Sequence, residues 1–224
     1  MNHNLSIPLR GRPKKVDHQN VVEIAMYLYW AKGIQNVSLN EICRKANIAK
    51  TSFYREFDSE DKLMELAIKM YFDWFNCLLA ELNLEGRSSV EVFGMLMDMI
   101  LDDRNEDIPP GCMLVKMRDV RGDKLGPKAL AQLHLCQQQQ MKMIEHFVIC
   151  GQQRGDFTKE ISIPTAVAYI DNQLSNALAL MAQGAPSDRI KEFSKIAFSP
   201  LFLKKETGLA RGSLRSYNLE ASNE

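Results

Sequence analysis

The chain has 224 residues, of which 46% are hydrophobic and 25% charged, a balance typical of a globular protein with one large or two small domains. Lys+Arg and Asp+Glu are equal at 28 each, so bulk charge selects no partner, but residues 10–62 carry ten Lys/Arg against seven Asp/Glu. That asymmetry predicts a nucleic-acid-facing N-terminal quarter joined to a neutral or acidic body. The five cysteines (43, 77, 112, 136 and 150) form no CxxC pair and the four histidines are scattered, which argues against a disulfide framework or a structural zinc site. No signal-peptide core is visible, and the most apolar long stretch, 163–182, is interrupted by Asp171, Asn172, Gln173 and Asn176. The expectation is a cytoplasmic protein with no membrane span, no metal and no cofactor.

Helical periodicity runs through almost the whole chain. Residues 17–32 place Val21, Ile24, Ala25 and Leu28 on one face, and Gly33 ends the run. The stretch SLNE at 38–41 reads as a capping box that opens a short helix to Lys45 or Ala46. Asn47 suits a turn at positive φ, and a second short helix covers about 50–56. Ser59 is the expected N-cap of a long helix to about residue 83, with Leu63, Leu66, Ala67, Met70, Trp74 and Leu78 as its apolar stripe. A Met- and Phe-rich helix follows at about 88–102, then a loop closed by Pro-Pro-Gly and a short helix at 112–119. After a break at 121–127, a long helix over 127–150 is expected to turn Leu130, Leu133, Met141, Ile144 and Val148 inward, and Gly151 and Gly155 to end it. The last two helices span 163–183 and, capped by Ser187, about 187–198; Pro200 stops the second, and 201–224 reads as weakly structured.

Three short helices followed by a long one form the pattern of a helix-turn-helix braced from behind. Within 50–56, Phe53 and Phe57 share a face and should pack inward. Lys50 with Tyr54, and Thr51 with Arg55, occupy the neighbouring outward faces. A row of cation, hydroxyl, phenol and guanidinium at a helix start fits a DNA major groove, although periodicity alone also allows a solvated charged helix.

The stretch VSLNEICRKANIAKTSFYREFDSEDKL (37–63) resembles the DNA-binding domain of the tetracycline-repressor (TetR) family of transcriptional regulators. The resemblance implies an all-α protein: an N-terminal three-helix DNA-binding domain at 17–62 and a larger helical ligand-binding and dimerisation domain at 63–200. A flexible basic arm (1–16) precedes them and a tail (201–224) follows. It assigns Lys50, Thr51, Ser52, Tyr54 and Arg55 to DNA-contacting positions and Ser38 to the cap of the second helix, a position also counted at the DNA. Several residues depart from the family pattern. Ala49 replaces the usual Ser cap, Asn47 the usual Gly, Cys43 the usual Ala and Glu56 the usual His or Tyr. Glu60 stands where the family has a phosphate-contacting Lys; Lys62, two residues on, is the candidate replacement, and the sequence leaves open whether it takes that role. The run RGRPKK at 10–15 resembles minor-groove arms, which implies Arg10 and Arg12 at the minor groove or its phosphates and Lys14 and Lys15 at backbone phosphates.

For the body, the resemblance implies an apolar pocket whose small-molecule ligand releases the protein from its double-stranded DNA operator. Tyr71, Trp74, Phe93, Met97, Met113 and Met117 are candidate lining residues, with core filling as the competing role. Cys112, at a helix start near Lys116 and Arg118, is a further candidate, as lining or as an oxidisable thiol, with a small buried helix-start residue as the competing role. The last two helices resemble the family's homodimer-forming pair, with Ile170, Leu174, Leu178, Ile190 and Phe193 as interface candidates and ordinary intramolecular core as the competing reading. The chain carries no pocket-spaced carboxylate pair, Gly-rich phosphate loop, metal-ligand cluster or nucleophile elbow, so an enzyme is not expected. The expected function is a dimeric, ligand-released repressor, with a ligand-independent regulator controlled by a protein partner or by Cys112 oxidation as the alternative.

Overall fold

The computed structural model describes residues 16–82, 86–101, 107–118 and 124–203. Arg10, Arg12, Lys14 and Lys15 lie outside the described residues. Among those described, nine α-helices follow one another: α1 (His18–Lys32), α2 (Leu39–Lys45), α3 (Lys50–Phe57), α4 (Glu60–Glu81), α5 (Ser89–Ile100), α6 (Met113–Arg118), α7 (Pro127–Arg154), α8 (Ile163–Ala182) and α9 (Ser187–Phe198). Strands are absent among the described residues, apart from a single bridge between Phe157 and Phe202. The all-helical architecture expected from the sequence is therefore observed.

The helix starts follow local chemistry. The side chains of Asp17, Ser38, Ser59 and Ser162 each accept a hydrogen bond from the third residue beyond them, at the N-termini of α1, α2, α4 and α8. The expected capping box at 38–41 is only half made. Ser38 accepts from the Glu41 amide at 3.3 Å, but the Glu41 carboxylate goes to Lys32, 2.6 Å away. That hydrogen bond, with the neighbouring cations, holds the Glu41 carboxyl below its usual range. The complete capping box is at Ser88–Glu91, opening α5. At α9 the capping position belongs to Pro186, without a side-chain cap, and Ser187 is the first helical residue. Asn47 does adopt positive φ, at 51°.

Two expectations for α7 are corrected. Leu130 is 41% exposed; the inward stripe instead runs through Ala129, Leu133, Cys136, Ile144 and Val148. Gly151 does not end the helix, which continues to Arg154 and stops at Gly155 in the left-handed region. Any side chain at Gly151 would strike Phe157. The body also extends past 200: Leu201 is 3% exposed and Thr158 donates to its carbonyl.

The core forms two clusters. One joins α1, α2 and α3 to α4, α6 and the first half of α7, with Phe53, Phe57, Leu63, Ile68, Met113 and Leu133 among its members. The other joins α5, the second half of α7, α8 and α9. The boundary expected at residue 62 is thus crossed by continuous packing. Asp61 reinforces it by accepting from the amides of Lys128 and Ala129, at 3.0 and 2.9 Å. α7 has no side-chain cap of its own, because its N-cap is Gly126, where any Cβ would collide with the Asp61 carboxylate. Asp61→Ala should therefore destabilise the protein by about 1 kcal/mol, the usual worth of an N-cap, with Asp61→Asn intermediate. Urea unfolding midpoints of the two variants check this.

Candidate functional site

α3 is fastened from beneath. Phe53 and Phe57 are 0% and 1% exposed, their rings stacked at 5.2 Å, and His18 of α1 stacks on Phe57 at 4.3 Å. Burying two phenylalanines contributes about 1.5–3 kcal/mol each and fixes the roll of the helix. That roll leaves Lys50, Thr51, Tyr54 and Arg55 exposed, with Ser52 half-buried. Tyr54 is 47% exposed and its ring meets Phe53 edge-on at 5.2 Å, so the hydroxyl is carried outward on a fixed ring. The start of α3 has no side-chain cap, as Ala49 requires, which leaves the first amides of the helix available to an anion.

Two cations near this face are already engaged. Arg55 Nε lies 3.1 Å from Glu56, and Lys62 Nζ lies 2.8 Å from Glu65. The hydroxyl of Ser38 is used in capping α2.

Behind this head, α4, α5, α6, α7 and α8 enclose a cavity of about 210 Å³. Among the described residues its wall is apolar and contains no charged side chain; Tyr71, Phe75, Phe93, Val115, Met143 and Phe147 are representative. Cys112 and Gln140 reach it, but the Gln140 amide is occupied, donating to Asp171 at 3.0 Å and accepting from Arg118 at 3.2 Å. Burial, and then Cys112 beside it, push the Tyr71 phenol well above its usual value.

The candidate lining residues divide. Tyr71, Phe93 and Cys112 line the cavity. Trp74 does not: it packs against Trp30 and Tyr71, with ring centroids 5.2 and 5.8 Å apart. Met113 and Met117 are buried in the head-facing core, and Met97 borders a separate cleft between α5 and α9. The interface candidates need a similar correction. Ile170, Leu174 and Leu178 turn into the cavity, and Ile190 is 1% exposed within the chain, leaving nothing for a partner to cover. Phe193 alone of the five stays partly exposed outside the cavity. A stripe on α8 reads alike whether it faces a cavity or a partner, so periodicity could not separate the two. The part of the wall formed by Phe72, Phe75, Val115 and Phe147 was missed, since only the helix arrangement brings it together.

Trp30, at the end of α1, connects head and cavity. Its indole donates to the Gly111 carbonyl at 2.7 Å, and Lys116 of α6 donates to the Trp30 carbonyl at 2.8 Å. Gly111 has φ +78°, and a Cβ there would lie 2.8 Å from Ala182 and from the Leu178 carbonyl, so only glycine permits this approach. The far end of α6 is tied by Arg118, which donates to Asp171 at 3.4 Å and to Gln140.

Comparison with known proteins agrees with this geometry. Residues 21–67 match the family described as bacterial regulatory proteins, tetR family. Residues 21–67 thus form a TetR-family DNA-binding domain, and the chain as a whole is similar to transcriptional regulators of that family. It is 24% identical over 193 residues to the HTH-type transcriptional repressor ComR of Escherichia coli (strain K12), covering 83% of this chain and 89% of ComR. The fold matches a cysteine mutant of the TetR family regulator CifR complexed with 26-bp double-strand operator DNA, with TM-score 0.71, 17% identity and coverage of 85% and 100% of the two chains. It also matches regulatory protein TetR from Rhodobacter sphaeroides, with TM-score 0.71, 18% identity and coverage of 82% and 98%. No helix among the described residues is long and apolar enough to cross a membrane.

A phosphate brought to this face would meet the Glu56 carboxylate and find Arg55 already held by it. Glu56→Gln should therefore tighten DNA binding by up to about 1 kcal/mol, the ceiling for an exposed ion pair, and steepen its salt dependence. Fluorescence anisotropy on a labelled duplex measures both.

Proposed function

We propose that this TetR-family protein is a cytoplasmic, homodimeric repressor that binds a double-stranded operator and is released by a small, uncharged, apolar molecule. The observation that carries the reading is α3: its buried Phe53 and Phe57 fix an outward row of Lys50, Thr51, Tyr54 and Arg55. In this reading Thr51, Ser52 and Arg55 meet base edges or phosphates, and Lys50 and Tyr54 the backbone. Arg10 and Arg12 enter the minor groove beside the head, while Lys14, Lys15 and Lys62 contact phosphates. The resemblance to ComR, named a repressor, supports the sign of regulation, and the CifR complex with operator DNA supports the docking mode.

The effector class follows from the cavity wall. A charged ligand would leave water for a wall without a counter-charge, at a cost that apolar contacts do not repay. An uncharged apolar molecule buries its surface against Phe75, Phe93, Met143 and Phe147 at no such penalty. The dimer forms through the outer faces of α8 and α9, where Asn172, Asn176, Phe193 and Ile196 are wholly or partly exposed, Ile196 at 68%.

Anisotropy against the DNA upstream of the protein's own gene tests the reading. Saturable, salt-sensitive binding is expected, with Lys50→Ala lowering the log–log salt slope by about 0.9 for each phosphate that Lys50 neutralises. Affinity no greater than for unrelated DNA, and unaffected by Lys50→Ala, would refute it.

A further inference from the structure

A second concavity lies on the flank of the body, apart from the central cavity. α5 and α9 border a cleft of about 660 Å³, closed at one end by Phe202 and Leu203. Its apolar surface comes from Phe93, Met97, Phe198 and Phe202. Within this apolar surface is Ser194, 2% exposed, whose Oγ has no hydrogen-bond partner among the described residues. A buried hydroxyl left unpaired is costly, and a ligand atom within reach of it removes that cost. The rim has charge: Lys191 lies 2.9 Å from Asp98, and Lys195 stands one turn further along α9. Among the described residues, two ammonium groups against one carboxylate leave the rim net positive.

We propose that this cleft is a second small-molecule site, for an amphipathic monocarboxylate. The apolar chain lies among Phe93, Met97, Phe198 and Phe202, Ser194 donates to the carboxylate, and the Lys195 ammonium neutralises it. Charge complementarity distinguishes this site from the uncharged central cavity. Phe93 belongs to both walls and its ring lies 4.1 Å from that of Phe198, so occupancy of the cleft bears on the cavity through one shared side chain.

Calorimetric titration of the full chain with octanoate tests the site, with octanol as the uncharged control. Gly94 supplies a mild block: it lines the cleft, and a Cβ there meets nothing within 4 Å, so Gly94→Leu adds a side chain at the cleft from a position with room for its Cβ. The expected result is saturable octanoate binding, weakened about tenfold or more by Lys195→Glu and by Gly94→Leu, with octanol binding more weakly than octanoate. Unfolding midpoints of the variants must match the parent; Ser194→Ala, which removes only the unpartnered hydroxyl, gives an independent loss if either does not. No octanoate binding, binding indifferent to all three substitutions, or equal affinity for octanol would overturn the proposal. Binding seen only in a chain ending at Leu203 would also overturn it, by assigning the cleft to residues 204–224.

Discussion

The end of α1 is where the two halves of this protein are made one. Trp30 is 5% exposed and uses every part of its chemistry. Its indole N–H reaches Gly111, its backbone carbonyl takes the Lys116 ammonium, and its ring rests on Tyr71 and Trp74 of α4. A tryptophan buried with its N–H satisfied is both a large apolar contact and a directional one. The Lys116 amine loses solvation to make its contact, and burial lowers its pKa accordingly. The head therefore cannot roll relative to α6 without breaking two hydrogen bonds together.

In the proposed reading, this connection is the cavity's physical route to the DNA face. Tyr71 is at once a cavity wall and a support for Trp30, and Cys112 and Val115 place α6 on the opposite side of the same space. Asp61 adds a second tie, from the start of α4 to the start of α7. A molecule that pushes α6 or α4 outward must move Trp30, and with it the helix on which α3 is packed. Coupling of this kind needs two discrete packings and not a wire; close-packed interiors supply them because they shift between arrangements more readily than they compress.

The DNA-reading half was largely legible in the sequence because its information is local. The Phe53–Phe57 spacing, the Ser59 cap and the turn at Asn47 each depend on neighbours within a few residues. The body was legible as helices but not as a site. Leu174 and Leu178 have the right spacing for a partner or for a cavity, and only the placement of α4 and α5 decides between them. Met113 and Met117 looked like adaptable pocket lining, yet they fill the joint beneath the head. Glu41 shows a smaller version of the same limit: its capping partner was predictable, but Lys32, nine residues away, competes for it and wins.

The central claim is that cavity and DNA face are coupled through Trp30, and a double-mutant cycle on operator affinity tests it most directly. Leu174→Trp fills the cavity and stands in for an effector; Trp30→Phe keeps an aromatic ring but removes the indole donor. Coupling through Trp30 predicts that Leu174→Trp weakens operator binding in the parent and has much less effect in the Trp30→Phe background, an interaction of about 1–3 kcal/mol. Strictly additive effects of the two substitutions, in variants with matched unfolding midpoints, would contradict it.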